Sequence, residues 1–70
     1  MLSIYKNLRT NHTYQTEKRG CLFVITERDY FGELWQTWGS YKTRTKAQEV
    51  LDKMADQLDW KYCGRQEGEP

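Results

Sequence analysis

From Thr45 onward, apolar side chains recur at Ala47, Val50, Leu51, Met54, Ala55 and Leu58. Counted from Ala47, these positions trace one stripe on a period of about 3.6 residues, so the chain predicts an amphipathic helix here. Glu49, Asp52, Lys53, Asp56 and Gln57 fall on the opposite side, which suits solvent. Thr45 and Gln48 have capping-box spacing: the hydroxyl accepts the third helical N–H and the amide reaches back to the cap. Glu49 and Lys53 form an i,i+4 pair in the favourable order. Gly64 reads as the stop.

Upstream the period changes. Cys21 to Thr26 is β-branched and aromatic and apolar on both alternating faces, Leu22 and Val24 on one, Cys21, Phe23 and Ile25 on the other. That pattern predicts a central strand with the helix on one side and some cover on the other. Asp29-Tyr30-Phe31-Gly32 is a turn, because Asp at the first position bonds back to the backbone and Gly at the fourth accepts a left-handed φ. Glu33 to Trp38 alternates, with Leu34, Gln36 and Trp38 on one face and Glu33, Trp35 and Thr37 on the other. Trp35 is therefore expected on the side away from the helix. Gly39-Ser40 ends that strand, and Tyr41-Lys42-Thr43 leads into the helix.

Leu2, Ile4 and Leu8 mark a first strand. Residues 9–19 are polar; Thr13 to Glu17 suits either an edge strand or a loop, with the loop favoured. After the helix, Trp60 and Tyr62 fold back on the core edge, and residues 65–70 form a polar flexible tail. The expectation is one α+β domain over residues 1–64. In it an antiparallel sheet of three strands, perhaps four, packs against one C-terminal amphipathic helix.

Length sharpens this picture. Seventy residues support a core near the lower limit for independent folding. Three Trp, five Tyr and two Phe compensate by burying large area per side chain, and dimerisation is a further route to burial. The opening residues lack the apolar core of a secretory signal and no run is long enough to span a membrane, so a cytoplasmic location with reduced Cys21 and Cys63 is expected.

Charge changes the picture only through its distribution. Residues 1–46 carry eight Lys/Arg against four Asp/Glu, and residues 47–70 carry three against six. A basic sheet side and an acidic helix side follow, which would suit an anionic partner. Catalytic chemistry finds little footing. His12 lies in a polar stretch that reads as solvated, Cys21 reads as a buried strand residue, and His12, Cys21 and Cys63 do not make a zinc set. Glu27, Asp29 and Glu33 read as turn and solubility residues. The chain is expected to be no enzyme and to need neither metal nor cofactor.

Surface is what remains. Candidate binding residues are the aromatics Tyr30, Phe31 and Trp35 and the cations Arg28, Lys42, Arg44 and Lys46. Strand, hairpin and strand, then Gly39-Ser40-Tyr41-Lys42-Thr43 and a helix opening on Lys46-Ala47, resemble the three-stranded DNA-binding modules of phage integrases. That resemblance covers about residues 20–58 and implies a sheet that enters the major groove. Glu27, Asp29 and Glu33 depart from it by setting negative charge on the hairpin nearest the phosphates. The leading expectation is a small binding protein of the phage or mobile-element accessory type. Such a protein occupies a surface of a protein or protein–nucleic-acid machine, as anti-CRISPR inhibitors do. A nucleic-acid module using the basic sheet, with Trp35 available to stack, is the alternative, and an assembly protein acting as a homodimer is a third.

Overall fold

The structure, a computed structural model, describes residues 2–66. Five strands and one helix follow in the order β1 (Ser3–Asn7), β2 (His12–Arg19), β3 (Leu22–Arg28), β4 (Leu34–Tyr41), α1 (Arg44–Leu58) and β5 (Lys61–Arg65). The strands form one sheet in the order β4-β3-β2-β1-β5, every pairing antiparallel. The first four strands are a meander. The helix then returns the chain across one face, and β5 joins the far edge beside β1. The α+β class holds, but there are five strands rather than three or four, and the helix lies mid-chain rather than at the C-terminal end.

Two of those strands come from segments expected to be irregular. The stretch favoured as a loop is β2, the middle strand of the sheet. Its polar residues alternate: Tyr14 and Thr16 are buried toward the helix, whereas Thr13, Gln15 and Glu17 face the other way. Thr and Tyr thus supply both the β-branched or aromatic character a strand needs and the buried layer. Arg65, placed in the tail from sequence, ends β5, and Gln66 is tied by its N–H to the Leu2 carbonyl and by its amide to that of Thr16. The remainder of the expected tail, residues 67–70, lies outside the described residues.

The helix stripe is as its periodicity requires. Ala47, Leu51 and Ala55 are buried, Val50 and Met54 pack against the core, and Leu58 is half exposed at the end. The boundaries differ. Thr43, not Thr45, is the N-cap: it is extended and its Oγ1 accepts the Lys46 N–H at 3.1 Å. Asp59, left-handed at φ 59°, ends the helix before Gly64 is reached. Thr43→Ala should therefore cost about 1 kcal/mol in urea unfolding, while exposed Thr45→Ala should stay within about 0.5 kcal/mol. Equal losses at the two positions would contradict this cap.

The core cluster is Tyr14, Ile25, Leu51, Ala55 and Trp60, with Tyr5, Trp38, Tyr41, Val50 and Met54 around it. Tyr14 and Trp60 stack at a centroid distance of 3.6 Å and 11° between planes, and Trp38 meets Trp60 edge-on at 6.0 Å. The opposite face of the sheet carries no helix. Its cover is a layer of polar side chains in which Glu17 takes Arg28 through both oxygens, at 2.9 and 3.0 Å, and also accepts from Thr26 and Gln15. Under that layer Thr26 is fully buried. Cys21, expected inside a strand, is exposed in the β2–β3 turn, and Cys63 is exposed at a bulge in β5. No helix in the described residues is long and apolar enough to cross a membrane.

Candidate functional site

The β3–β4 hairpin presents the most unusual surface of the molecule. Its turn forms as its residues dictate: the Gly32 N–H reaches the Asp29 carbonyl at 3.0 Å, and Asp29 Oδ1 accepts the N–H groups of Phe31 and Glu33. The turn is thus held by backbone and by Asp29, which frees Tyr30 and Phe31 from any packing duty. Tyr30 is 71% exposed and Phe31 85%, their rings edge-to-face at 5.3 Å. Leu34 and Trp35 follow, 45% and 62% exposed.

Trp35 does not sit where simple alternation puts it. Glu27 pairs with Gln36 and Arg28 with Leu34, so Trp35 is the extra residue of a β-bulge. A bulge re-aims its side chain. The Trp35 ring lies 4.8 Å from that of His12, at the end of the helix-bearing face rather than on the uncovered one. A second bulge at Gly39 bends the same strand; its φ of +62° favours glycine, and a Cβ there would stand 2.6 Å from the Tyr41 hydroxyl.

Behind Trp35 lies a polar cluster that neither expectation about His12 nor that about Glu27 anticipated. Glu27 is only 5% exposed. One oxygen accepts from His12 Nδ1 at 2.6 Å and Tyr14 Oη at 3.0 Å; the other accepts from Gln36 Nε2 at 2.9 Å and Trp38 Nε1 at 3.0 Å. Burial pushes this carboxyl up, but the donors from His12, Gln36, Trp38 and Tyr14 outweigh burial and hold it below the usual carboxylate range. An ionised carboxylate only accepts, so the short contact requires the hydrogen on His12 Nδ1. Burial, with the Glu27 charge beside it, raises the Tyr14 hydroxyl to about 12. With both oxygens doubly bonded, Glu27 fixes four side chains from three strands; it is an ordering group, and Tyr14 is far from a ready nucleophile.

A cleft of about 520 Å³ opens beside the cluster, between Asn7–Arg9, the helix end at Leu58–Asp59 and the side chains of Gln36 and Trp38. Among the described residues, no three His, Cys, Asp or Glu side chains gather closely enough to hold a metal ion.

The seven residues singled out by sequence separate into two ends of the molecule. Tyr30, Phe31 and Trp35 belong to the hairpin end. Lys42, Arg44 and Lys46 lie past the other end of β4, about 23 Å away along a strand rising 3.3 Å per residue. Register brings Lys18 to Phe23 and Phe23 to Tyr41, and Arg44 lies over the Phe23 ring at 5.0 Å, so Lys18 and Arg44 share that basic end. Arg28 joins neither group as a binding cation. Its guanidinium is engaged by Glu17 and by the Gly32 carbonyl, and acts as a brace between β2 and the hairpin. The charge therefore divides along the strands, not between sheet and helix. His12 and Glu27 were out of reach of sequence reasoning because they are 15 residues apart and meet only through the β2–β3 register. No known protein family matches the chain, and no curated protein or solved structure shows significant similarity to it.

Proposed function

We propose that the chain is a non-enzymatic binding domain that occupies a surface of a partner protein through its β3–β4 hairpin. The observation that carries this reading is the contiguous display of Tyr30, Phe31, Leu34 and Trp35, four large side chains between 45% and 85% exposed on a turn that other groups hold rigid. Aromatic side chains on a pre-formed turn bury large area at small entropic cost, which is what binding hot spots require. A small protein that acts by occupancy fits the role of a phage or mobile-element accessory factor, an inhibitor or modulator of a larger machine.

A second reading rests on the basic end, where Lys18, Lys42 and Lys46 are exposed beside Arg44. A nucleic acid would dock there through its phosphates, and not on the sheet face where Arg28 is neutralised by Glu17. One experiment separates the two. A photo-crosslinking residue at position 35 should capture a discrete protein, and one at exposed position 53 should not. Tyr30→Ala with Phe31→Ala should reduce that capture at least tenfold while leaving unfolding within about 0.5 kcal/mol of the parent. Salt-sensitive binding of labelled DNA or RNA that is lost on Lys46→Glu, with no capture from position 35, would move the function to the basic end.

A further inference from the structure

We infer that β4 is a self-pairing edge, and that two copies of this chain join through it, antiparallel, into one continuous sheet. The inference goes beyond partner binding by the hairpin, since side chains leave a strand on its faces and pairing uses the backbone along its edge.

β4 is the outermost strand, with β3 on one side and no strand on the other. It is eight residues long and six of those are exposed. An edge of that length is a template for another strand, and proteins that keep such an edge unpaired shorten it or stud its middle with charge. Here Leu34–Tyr41 contains no charged residue at all. The two bulges, at Trp35 and Gly39, stand on either side of the middle, so a copy running the opposite way meets matching curvature.

Charge complementarity identifies the occupant. β4 is bounded by exposed Glu33 at its start and exposed Lys42 at its end, with Asp29 beyond the first and Lys46 beyond the second. Antiparallel pairing centred on the strand sets Leu34 opposite Tyr41 of the second copy, and so Glu33 opposite Lys42, twice by symmetry. Parallel pairing would instead set like against like. A second copy of this chain is thus the partner whose ends match both ends of this edge at once, and cross-strand opposite charges are favourable where like charges are not.

Sedimentation equilibrium at low salt tests this with single and paired charge reversals at solvent-exposed positions. The parent should show a concentration-dependent dimer. Glu33→Lys alone and Lys42→Glu alone should each weaken it about tenfold or more, because each turns two attractive contacts into two repulsive ones. Mixing the two variants should restore a dimer, since each then meets the partner's reversed charge. A parent that stays monomeric at every concentration, an outcome expected if the edge serves some other strand, overturns the inference. So does a dimer indifferent to both reversals, or one that mixing fails to restore. None of these results bears on capture from position 35, so the two proposals fail separately.

Discussion

Replacing Glu27 with alanine should cost about 3–4 kcal/mol, a large share of the roughly 4–10 kcal/mol that a domain of this length holds. The change removes an acceptor and leaves four donors, from His12, Tyr14, Gln36 and Trp38, facing a buried gap. Glu27→Gln keeps the shape but turns an NH₂ toward two of those donors, so it should lose about 2 kcal/mol. Urea unfolding followed by circular dichroism reads both, and a loss below about 1 kcal/mol for the alanine variant would show that the cluster does not anchor the sheet. The pH dependence has a definite sign. Glu27 is depressed in the folded state, so its contribution is present above the ordinary carboxyl value of 4.5 and is lost as pH falls through the folded value below it. Glu17, lowered by its bonds from Arg28, acts in the same direction. At the alkaline end Tyr5 and Tyr14 are raised from 10.0 to about 12, so their contribution is intact below 10.0 and fades as pH climbs toward 12.

Trp60→Ala should be comparably severe, at about 3–5 kcal/mol. Trp60 is 7% exposed and lies between the Tyr14 face and the Trp38 edge, so its loss opens a cavity in a core with little else to close it. Trp60→Phe keeps an aromatic on Tyr14 and should lose less than half as much. Tyr14 also donates to Glu27, which links the two sites: the Glu27→Ala, Trp60→Ala double variant should lose clearly less than the sum of the singles. Strict additivity would argue that stack and carboxylate cluster are independent.

Those two residues show where reading the chain succeeds and where it stops. The helix stripe from Ala47 to Ala55 and the turn at Asp29–Gly32 depend on neighbours within a few residues, and both are plain in the order of side chains. The helix start is not, because Thr43 and Thr45 both carry a hydroxyl at a plausible spacing. The tertiary approach of β4 decides which is extended enough to cap. β2 is hidden for another reason: its buried residues are Tyr14 and Thr16, so the core-facing half of its alternation is not hydrophobic by type. Thr and Tyr at every second position were the available signal. Glu27 inherits that obscurity, since three of its four donors are found only when β2 and β4 are both in register beside β3. Trp35 was placed on the wrong face because alternation counts one residue per step, and a bulge adds one. The exposed tip at Tyr30 and Phe31 needs no long-range pairing and is legible from the turn alone.

The fifth strand gives the sheet an order of events. β5 pairs with β1 alone, Tyr62 opposite Tyr5 across most of the chain's length, while β2, β3 and β4 assemble through two local hairpins and receive the helix from above. Closing so long a loop is the slow, entropically expensive step, and it follows the hairpins. The same ladder, short and broken by the Cys63 bulge, is then the first to release when the molecule breathes. Amides of Lys61–Arg65 should exchange with solvent before those of β2 and β3. Each such opening bares the outer edge of β1 and sets Cys63 on a loose segment, so this domain's chemical ageing, by strand exchange between molecules or thiol oxidation, begins at that end.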